Sequence, residues 1–336
     1  MVRVEDYRFE LLNNAGMMLG VLDGVEPGGR LTGNVNAQIR WSAALTYHGD
    51  IQKTDWPKYR IRITAIINGE QRPLGEYVVR GGEQKNTPLG ESLTLDLYDK
   101  TFIPASDAVE DTYTVAEGAN IGGAVRALLE SSGETNIVLD PTNAVTRSAM
   151  VWEPGTSKLR IINDLLDAAG YMGLWCDYGG AYRLSPYTPP KQRPIVYEFA
   201  PSDTAIHTPE WAREQDAKIP NKIICVSQES GDQQAMRAIA LNEDPESPYS
   251  FQNQGQWVTE VHTGVEAATQ AVLDAHAQRL LANAVSSATV KRSMMLTPIE
   301  LNAVCLNSGG GREVVENLDI TLTPASLMQI TTREVA

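Results

Sequence analysis

The feature that most constrains this 336-residue chain is a period-two alternation of apolar and polar side chains in its first hundred residues. Residues 35–41, 59–64 and 93–97 each alternate in this way, which places the apolar set on one sheet face and the polar set on the other. Asn68 and Gly69 follow the second segment and suit a type I′ turn, because both residue types tolerate a positive φ. The pattern predicts an antiparallel sheet or barrel, with a return strand over residues 72–79.

The pattern changes after Pro104 to that of amphipathic helices. Apolar residues between positions 121 and 129 recur at helical spacing, which predicts a helix that Gly133 terminates. A second helix is predicted over residues 156–169, and residues 171–187 then read as a hairpin around a Gly-Gly turn. We therefore expect a small α+β domain, which a proline-rich stretch closes near residue 190.

Strand patterns return from residue 195, and one predicted helix over residues 264–284 interrupts them. The predicted strands cover residues 195–199, 222–228, 236–241, 257–262, 288–296, 301–306, 314–322 and 328–334. The order along the chain is thus β-rich, then α+β, then β-rich with one helix. No sequence repeat is visible between the two β-rich parts.

The chain is acidic, with 28 Lys and Arg against 42 Asp and Glu and a formal net charge of -14 at pH 7. A protein that grips nucleic acid needs a basic surface, because phosphate neutralisation supplies most of the affinity. No run approaches the roughly 20 apolar residues that a membrane span needs. Glu5 and Asp6 stand where a signal peptide would become apolar, so we do not expect a cleaved signal.

The residue types that usually carry chemistry form no recognisable constellation. Cys176, Cys225 and Cys305 are far apart and make no CxxC pattern, so we expect buried free thiols rather than a zinc site. Neither an HExxH motif nor a GxSxG nucleophile elbow is present, and we interpret the histidines as surface or capping residues. The histidines are His48, His207, His262 and His276. We predict that the chain is not an enzyme, has no catalytic, cofactor-binding or metal-binding residues, and needs no cofactor.

Three further motifs favour structural roles over binding. Residues 117–123 lack the GxGxxG spacing and GK[ST] ending of phosphate loops, so they predict the start of a helix. The Gly-Gly-Gly-Arg run at residues 309–312 is predicted to join two strands. The acidic residues 243–246 read as a solvated loop, because no DxDxDG run for calcium is present. The six tryptophans are scattered, which favours packing over a sugar-stacking platform.

Several phrases resemble those of a known family. Residues 155–199 combine a helix, Ala-Gly-Tyr, a strand, Asp-Tyr-Gly-Gly-Ala-Tyr, a second strand, a proline-rich stretch and Tyr-Glu-Phe. In residues 220–250, Pro-Asn-Lys-Ile opens one strand and Glu-Asp-Pro-Glu-Ser-Pro-Tyr-Ser follows the next, and Leu-Gly-Glu-Tyr at residues 74–77 resembles a return strand of tail proteins. Together these resemble the baseplate hub or minor tail proteins of long-tailed, siphovirus-type bacteriophages. That hub fold is shared with contractile-tail hubs and tail-associated lysins. One departure is Leu-Asn-Ala-Val at residues 301–304, where such hubs often carry a Gly-Asp turn.

The resemblance implies a fold that is mainly β, and α+β overall. It implies two tube-like antiparallel β-barrel domains over residues 1–105 and 191–336, with a small α+β domain over residues 106–190 between them. Three chains would present six tube-like domains, so a threefold ring could adapt a sixfold tail tube to a threefold tip and let DNA pass.

The resemblance also implies partners and a location. The partners are the chain itself as a homotrimer, the distal tail protein or tail tube ring, the tape measure protein and other tail-tip proteins. Genomic DNA would pass through the ring without specific binding. The location would be the tail tip of the virion, after assembly in the host cytoplasm.

Two other function classes stay open at this point. One is a cell-wall-degrading hydrolase, which we do not favour because the chain ends soon after its last predicted strand. The other is a receptor-binding or glycan-binding module, in which exposed tryptophans would matter. A stable monomer with affinity for glycans would support that module, whereas a trimer would support the hub.

For an assembled ring we expect the contacts to come mainly from residues 1–105 and 191–336, because β-rich domains expose edge strands that need covering. Residues 106–190 would lie toward the periphery. Residues 191–336 carry 11 basic and 18 acidic side chains, and a negative channel wall would repel DNA; general solubility is the alternative explanation. The candidate acidic residues are Asp203, Glu210, Glu214, Asp216, Glu243, Asp244 and Glu246.

Overall fold

The computed structural model describes most of the chain. The described residues are 3–49, 55–87, 90–140, 143–202, 205–215, 219–227, 235–265, 267, 269–285 and 288–335. Their elements follow the predicted order of a β-rich part, an α+β part and a second β-rich part with one long helix. The fold is mainly β, as the sequence predicts.

The described residues of the first part form seven strands and one short 3₁₀ turn at Trp56–Lys58. The strands are β1 (Glu5–Asn13), β2 (Met18–Val21), β3 (Gly29–Asn34), β4 (Trp41–Tyr47), β5 (Tyr59–Ile67), β6 (Glu70–Thr87) and β7 (Gly90–Asp99). The predicted turn between β5 and β6 is confirmed, because Asn68 and Gly69 have φ angles of 52° and 85°. The predicted return strand forms the first half of β6, which extends well beyond it.

The middle part forms a small α+β unit with its own apolar core. Its elements are α1 (Phe102–Ser106), β8 (Tyr113–Val115), α2 (Ile121–Ser131), β9 (Ile137–Leu139), β10 (Met150–Trp152), α3 (Lys158–Ala168), β11 (Trp175–Cys176) and β12 (Tyr182–Leu184). The predicted apolar stripe of α2 is confirmed, with Val125 and Leu129 fully buried. Asn120 caps α2, as expected for a motif that opens a helix.

The third part returns to strands after a 3₁₀ turn at Pro190–Gln192. Its elements are β13 (Ile195–Glu198), β14 (His207–Gln215), β15 (Lys222–Ser227), β16 (Arg237–Leu241), α4 (Phe251–Gln254), β17 (Thr259–Val265), α5 (Gln270–Val285), β18 (Ala288–Met295), β19 (Val304–Leu306), β20 (Arg312–Leu322) and β21 (Leu327–Glu334). The glycine run at residues 309–311 joins β19 to β20, as predicted.

Strands from both β-rich parts form one thirteen-stranded sheet. The order of its main path is β14-β18-β21-β20-β3-β4-β7-β6-β5-β1-β2. Two further strands lie off this path: β19 pairs with β20, and β13 pairs with β19. The link between the two parts is the antiparallel pairing of β20 with β3, in which Leu318 lies opposite Gly33. One apolar core also spans both parts and includes Leu31, Leu97 and Ile330.

Within the third part, β15, β16, β17 and α5 form a module outside the large sheet. The order of its three strands is β16-β15-β17, with β15 antiparallel to β16 and parallel to β17. One face of this small sheet packs against α5 through Ile223, Cys225 and Leu273, all fully buried. The module therefore has a separate small core.

The strand predicted over residues 35–41 is wrong. Residues 35–40 instead form the connection between β3 and β4, and of the predicted strand only Trp41 lies in a strand. The Asn34 side chain accepts a hydrogen bond from the backbone N–H of Asn36 at 2.8 Å, while the Asn34 N–H donates to the Arg40 carbonyl at 2.8 Å. Such side-chain to backbone bonding competes with strand pairing. Half-buried and exposed residues still alternate through the turn, which explains why the pattern imitates a strand.

The strand predicted over residues 301–306 is shorter than expected and is limited to β19. Asn302 lies in the left-handed region with a φ of 67°, a conformation that asparagine tolerates. Arg193 Nη1 donates to the carbonyl oxygen and to the side-chain Oδ1 of Asn302, at 2.9 and 2.8 Å. Residues 301 and 302 therefore still form a turn, although the sequence over residues 301–304 departs from the Gly-Asp pattern of hubs. The hydrogen bonds from Arg193 hold this turn in place.

Candidate assembly surfaces

Among the described residues, three strands of the large sheet have a sheet neighbour on one side only: β2 and β14 at the two ends of the main path, and β13 beside β19. The two end strands both expose large apolar side chains: Leu19 in β2 is 50% exposed, and Trp211 in β14 is 60% exposed. An open strand edge offers unpaired N–H and C=O groups to another chain, and single chains usually protect it with charge, proline or a covering element. The two ends of the sheet are therefore candidate contact surfaces, which we call the β2 edge and the β14 edge.

A rigid turn presents the β2 edge. The side-chain Oδ1 of Asn13 accepts hydrogen bonds from the backbone N–H groups of Ala15 and Met17, at 3.0 and 2.9 Å. Gly16 supplies the positive φ of 80° that the turn requires. Next to the turn, the Met17 side chain is 61% exposed. A sheet edge with successive exposed apolar side chains is characteristic of an interface.

Ion pairs hold the β14 edge in place. Arg213 donates from Nε and Nη2 to both carboxylate oxygens of Glu334 in β21, each at 2.8 Å. Lys291 in β18 pairs with Glu214 at 2.7 Å. The Lys291 pair joins β14 to its neighbour β18, and the Arg213 pair reaches past β18 to β21. The Trp211 side chain is exposed and can contact another molecule. In the sequence, Trp211 is one of six scattered tryptophans, because a position at a sheet edge follows from strand pairing alone.

A hairpin arm extends from the sheet, formed by the end of β6 and the start of β7. The pairing continues to Thr87 and Gly90, and residues 81–86 are exposed. A bulge between Val79 and Gly81 turns the arm. A Cβ atom on Gly82 would lie 2.4 Å from the Thr94 carbonyl oxygen, so glycine is required at this close approach.

A buried ion cluster joins the α+β unit to the large sheet. Lys100 Nζ lies 2.9 Å from Glu134 Oε2 and donates to the Gly180 carbonyl, also at 2.9 Å. The guanidinium of Arg60 pairs with the same carboxylate. None of these three charged residues exceeds 5% exposure. The polar face predicted for β5 is therefore partly buried, because the α+β unit covers it at Arg60.

A second buried ion pair lies between β18 and β20. Both guanidinium Nη atoms of Arg292 donate to the Glu313 carboxylate, at 2.6 and 2.9 Å. The hydroxyl of Thr332 donates to the same carboxylate at 2.5 Å, and the guanidinium lies 4.3 Å from the Phe199 ring centroid. Because every carboxylate contact is internal, this pair supports the sheet rather than a ligand.

The cysteines are unsuited to nucleophilic chemistry. All three are buried and free, as predicted. Burial raises the pKa of the Cys305 thiol to about 12 and raises the pKa of Cys176 well above its ordinary value. Burial also raises the pKa of Cys225. Since the thiolate is the reactive form, these groups stay protonated and inert near neutral pH.

The four histidines make local contacts. His48 is exposed, and its hydrogen bond with Glu26, 2.9 Å long, raises its pKa. His207 Nδ1 lies 2.9 Å from the Tyr197 hydroxyl, and burial lowers the pKa of this histidine. His262 pairs with Glu260 at 3.0 Å. Burial and then Arg279 lower the pKa of His276.

Among the described residues, no group of three or more His, Cys, Asp or Glu side chains is placed to hold a metal ion. No described helix is long and apolar enough to cross a membrane. Of the acidic candidates for a channel wall, Glu210, Glu214, Glu243, Asp244 and Glu246 are exposed. Asp203 and Asp216 lie outside the described residues. Whether the exposed carboxylates face a channel stays a prediction.

A large antiparallel sheet interrupted by a small α+β unit is the fold of phage tail proteins and related hub-like proteins, as comparison with solved structures shows. The 43 kDa tail protein of prophage MuSo2 from Shewanella oneidensis matches with a TM-score of 0.66 and 11% identity, over 98% of each chain. A tail protein from Neisseria meningitidis matches with a TM-score of 0.67 and 14% identity, over 98% of this chain and 97% of that one.

A third structure extends the likeness to secretion systems. The E. coli c3393 protein, a type VI secretion component described as structurally similar to T4 tail proteins gp27 and gp5, matches with a TM-score of 0.57 and 7% identity. The match covers 93% of this chain and 74% of that protein. No protein-family model matches the chain, and no curated protein matches it. At such identities the likeness establishes the fold.

Proposed function

We propose that the chain is a structural component of a phage tail tip, a baseplate hub or minor tail protein. Three copies form a ring that adapts a sixfold tail tube to a threefold tip and lets DNA pass. The observation that carries this proposal is the continuous sheet with an apolar, one-sided strand at each end, the β2 edge and the β14 edge. Pairing the β2 edge of one copy with the β14 edge of the next protects both edges and closes a ring.

The proposed partners follow from this position in the virion. They are the distal tail protein or tail tube ring, the tape measure protein and other tail-tip proteins, with assembly in the host cytoplasm. Genomic DNA passes without specific binding, which the net charge of -14 favours because it repels phosphates. The proposed role needs no catalysis, consistent with thiols that burial keeps protonated.

Mass photometry of the purified chain, with and without charged substitutions at the edges, tests the ring. A trimer has a mass of about 110 kDa, three times 36.7 kDa. Leu19→Lys and Trp211→Lys each place a cation on one edge, so we expect each variant to shift the population toward monomer. Val151→Lys is the matched control, because Val151 is 57% exposed but lies in the α+β unit.

Trimers that persist in both edge variants contradict the proposed ring contacts. A wild-type chain that stays monomeric and binds cell-wall glycans contradicts the hub itself and favours a binding module. Release of soluble fragments from purified peptidoglycan favours a hydrolase instead.

A further inference from the structure

A groove with a volume of about 850 Å³ is lined by described residues that belong to neither β2 nor β14. Five parts of the chain form it: the segment before β10 that carries Arg147, the end of α3, the proline-rich segment after the α+β unit, one side of α5, and the end of β21 with Val335. Its walls include Asp167, Tyr187, Lys191, Val272, Arg279 and Val335. Its size falls within the range of binding clefts.

The floor of the groove is largely apolar. Helix α5 packs against β15 and β16 through one side, so its other side borders the groove with Val272, Ala275 and Ala282. Pro189 and Pro190 also line the groove. An open apolar surface of this kind gains free energy when a partner covers it.

Positive charge predominates around this floor. Four cations, Arg147, Lys191, Arg279 and Arg333, line the groove with one carboxylate, Asp167. Arg279 pairs with Asp167 at 2.8 Å, and Arg333 pairs with Glu316 at 2.8 Å. Arg147 and Lys191 are exposed and have no acidic partner among the residues that the structure describes. In a chain with a net charge of -14, this surplus is local and complementary to an acidic ligand.

Hydrogen bonds fix the wall that carries Lys191. Arg312 Nη1 donates to the carbonyl oxygens of Pro190 and Arg193, at 3.2 and 2.9 Å. The backbone N–H of Val335 donates to the Arg312 carbonyl at 2.9 Å. The proline-rich segment and the end of the chain are thus held together before any ligand arrives. A preformed site loses less conformational freedom on binding.

We propose that this groove binds a short peptide segment of a partner protein that combines acidic and apolar side chains. The apolar floor would receive the apolar side chains, and Arg147 and Lys191 would pair with carboxylates. A polynucleotide fits poorly, because its many phosphates would meet the acidic remainder of the chain. The proposal goes beyond the ring, since the groove is complete within one chain.

Selection from a random library of short displayed peptides, with the purified full chain as the target, tests the proposal. We expect the selected pool to be rich in Asp, Glu and apolar residues. Arg147→Glu combined with Lys191→Glu should weaken binding of that pool by about tenfold, the sum of two surface charge pairs. Ala275→Trp, which fills the groove without changing charge, should weaken it as well.

The matched control combines Lys58→Glu, at an exposed residue, with Arg72→Glu, at a half-buried one, and changes the net charge equally outside the groove. Unchanged binding by this control, with melting temperatures of all variants near wild type, supports the proposal. A selected pool that is neutral or basic, or that binds the Arg147→Glu/Lys191→Glu variant as well as wild type, overturns it.

Two further outcomes also overturn the proposed occupant. If the Arg147→Glu/Lys191→Glu variant loses the oligomeric mass of the wild type, the groove binds a second copy. If vesicles of phosphatidylglycerol and phosphatidylcholine displace the selected peptides, the groove binds an anionic lipid surface. The proposed ring is tested separately, by the oligomeric masses of the Leu19→Lys and Trp211→Lys variants.

Discussion

At the residue scale, burial determines how much an ion pair contributes to stability, as the cluster of Lys100, Glu134 and Arg60 illustrates. Two cations share one carboxylate in a site with almost no solvent exposure. Removing one partner of a buried pair leaves an uncompensated charge, whereas removing one from an exposed pair changes little. This cluster is a buried polar contact between the α+β unit and the large sheet.

We therefore expect Glu134→Ala to lower the free energy of unfolding by about 3–5 kcal/mol, because Lys100 and Arg60 lose their common partner. Urea titration monitored by circular dichroism measures the change. Glu83→Ala is the control, since the pair of Glu83 with Lys85 is exposed and should contribute less than about 1 kcal/mol. Equal losses in the two variants would show that the cluster is not a structural tie.

Glu300 gives a pH-dependent prediction. Burial raises its pKa and Asp177 raises it further, and together they outweigh the opposing effects of Arg183 and of a hydrogen bond from the Tyr178 backbone. A carboxyl whose pKa is higher in the folded state than in the unfolded state stabilises the fold most when the pH is below the unfolded-state pKa of about 4.3. This stabilisation is lost as the pH rises through the folded-state pKa. At neutral pH the charged Glu300 therefore destabilises the fold.

Glu300→Gln should raise the melting temperature relative to wild type near neutral pH, and this advantage should shrink as the pH falls toward about 4.3. Thermal melting at a series of pH values follows the difference. Glu246→Gln, at an exposed loop residue, should show no such trend. A Glu300→Gln advantage that grows as the pH falls would contradict the assignment.

At the scale of elements, caps and turns explain where helices and strands begin. The side-chain Oδ1 of Asn120 accepts a hydrogen bond from the backbone N–H of Gly123 at 2.8 Å, satisfying one of the free donors at the start of α2. Asn120→Ala should lower the free energy of unfolding by about 1 kcal/mol. Urea titration measures this loss, and Asn143→Ala, at a nearby exposed asparagine, should leave stability within error. A neutral Asn120→Ala would mean that tertiary packing alone positions the helix.

At the scale of the whole molecule, the pairing of β3 with β20 joins two segments that lie far apart in sequence. Because they share one sheet and one core, we expect the two β-rich parts to unfold together. The module of β15–β17 and α5 has a separate small core and should open at lower denaturant concentration.

Hydrogen exchange followed by mass spectrometry tests this cooperativity. Amides of β4 and β7 should lose protection together with those of β20 and β21. Leu31→Ala creates a cavity in the shared core and should destabilise both sets equally, by about 2–5 kcal/mol. Different losses in the two sets would show that the β-rich parts are independent domains.

The mainly β class, the α+β interruption and the long helix could all be predicted from the sequence. Apolar residues repeat every two positions in a strand and every 3.6 positions in a helix, because a local segment turns those side chains toward the core. Both repeats are visible in a single sequence. The turn at Asn68-Gly69 and the cap at Asn120 are equally local. Residues 35–41 are the exception, because a turn with alternating burial imitates a strand.

Only the tertiary structure decided which strands pair and which are left at an edge. Local patterns do not encode the meeting of β3 with β20, since hydrogen bonds between distant strands depend on the packing of the whole core. The exposure of Leu19 and Trp211, and the convergence of Arg147 and Lys191 on one groove, follow from that pairing. The sequence by itself therefore determined the kinds of elements and their order, and long-range packing determined the surfaces they expose.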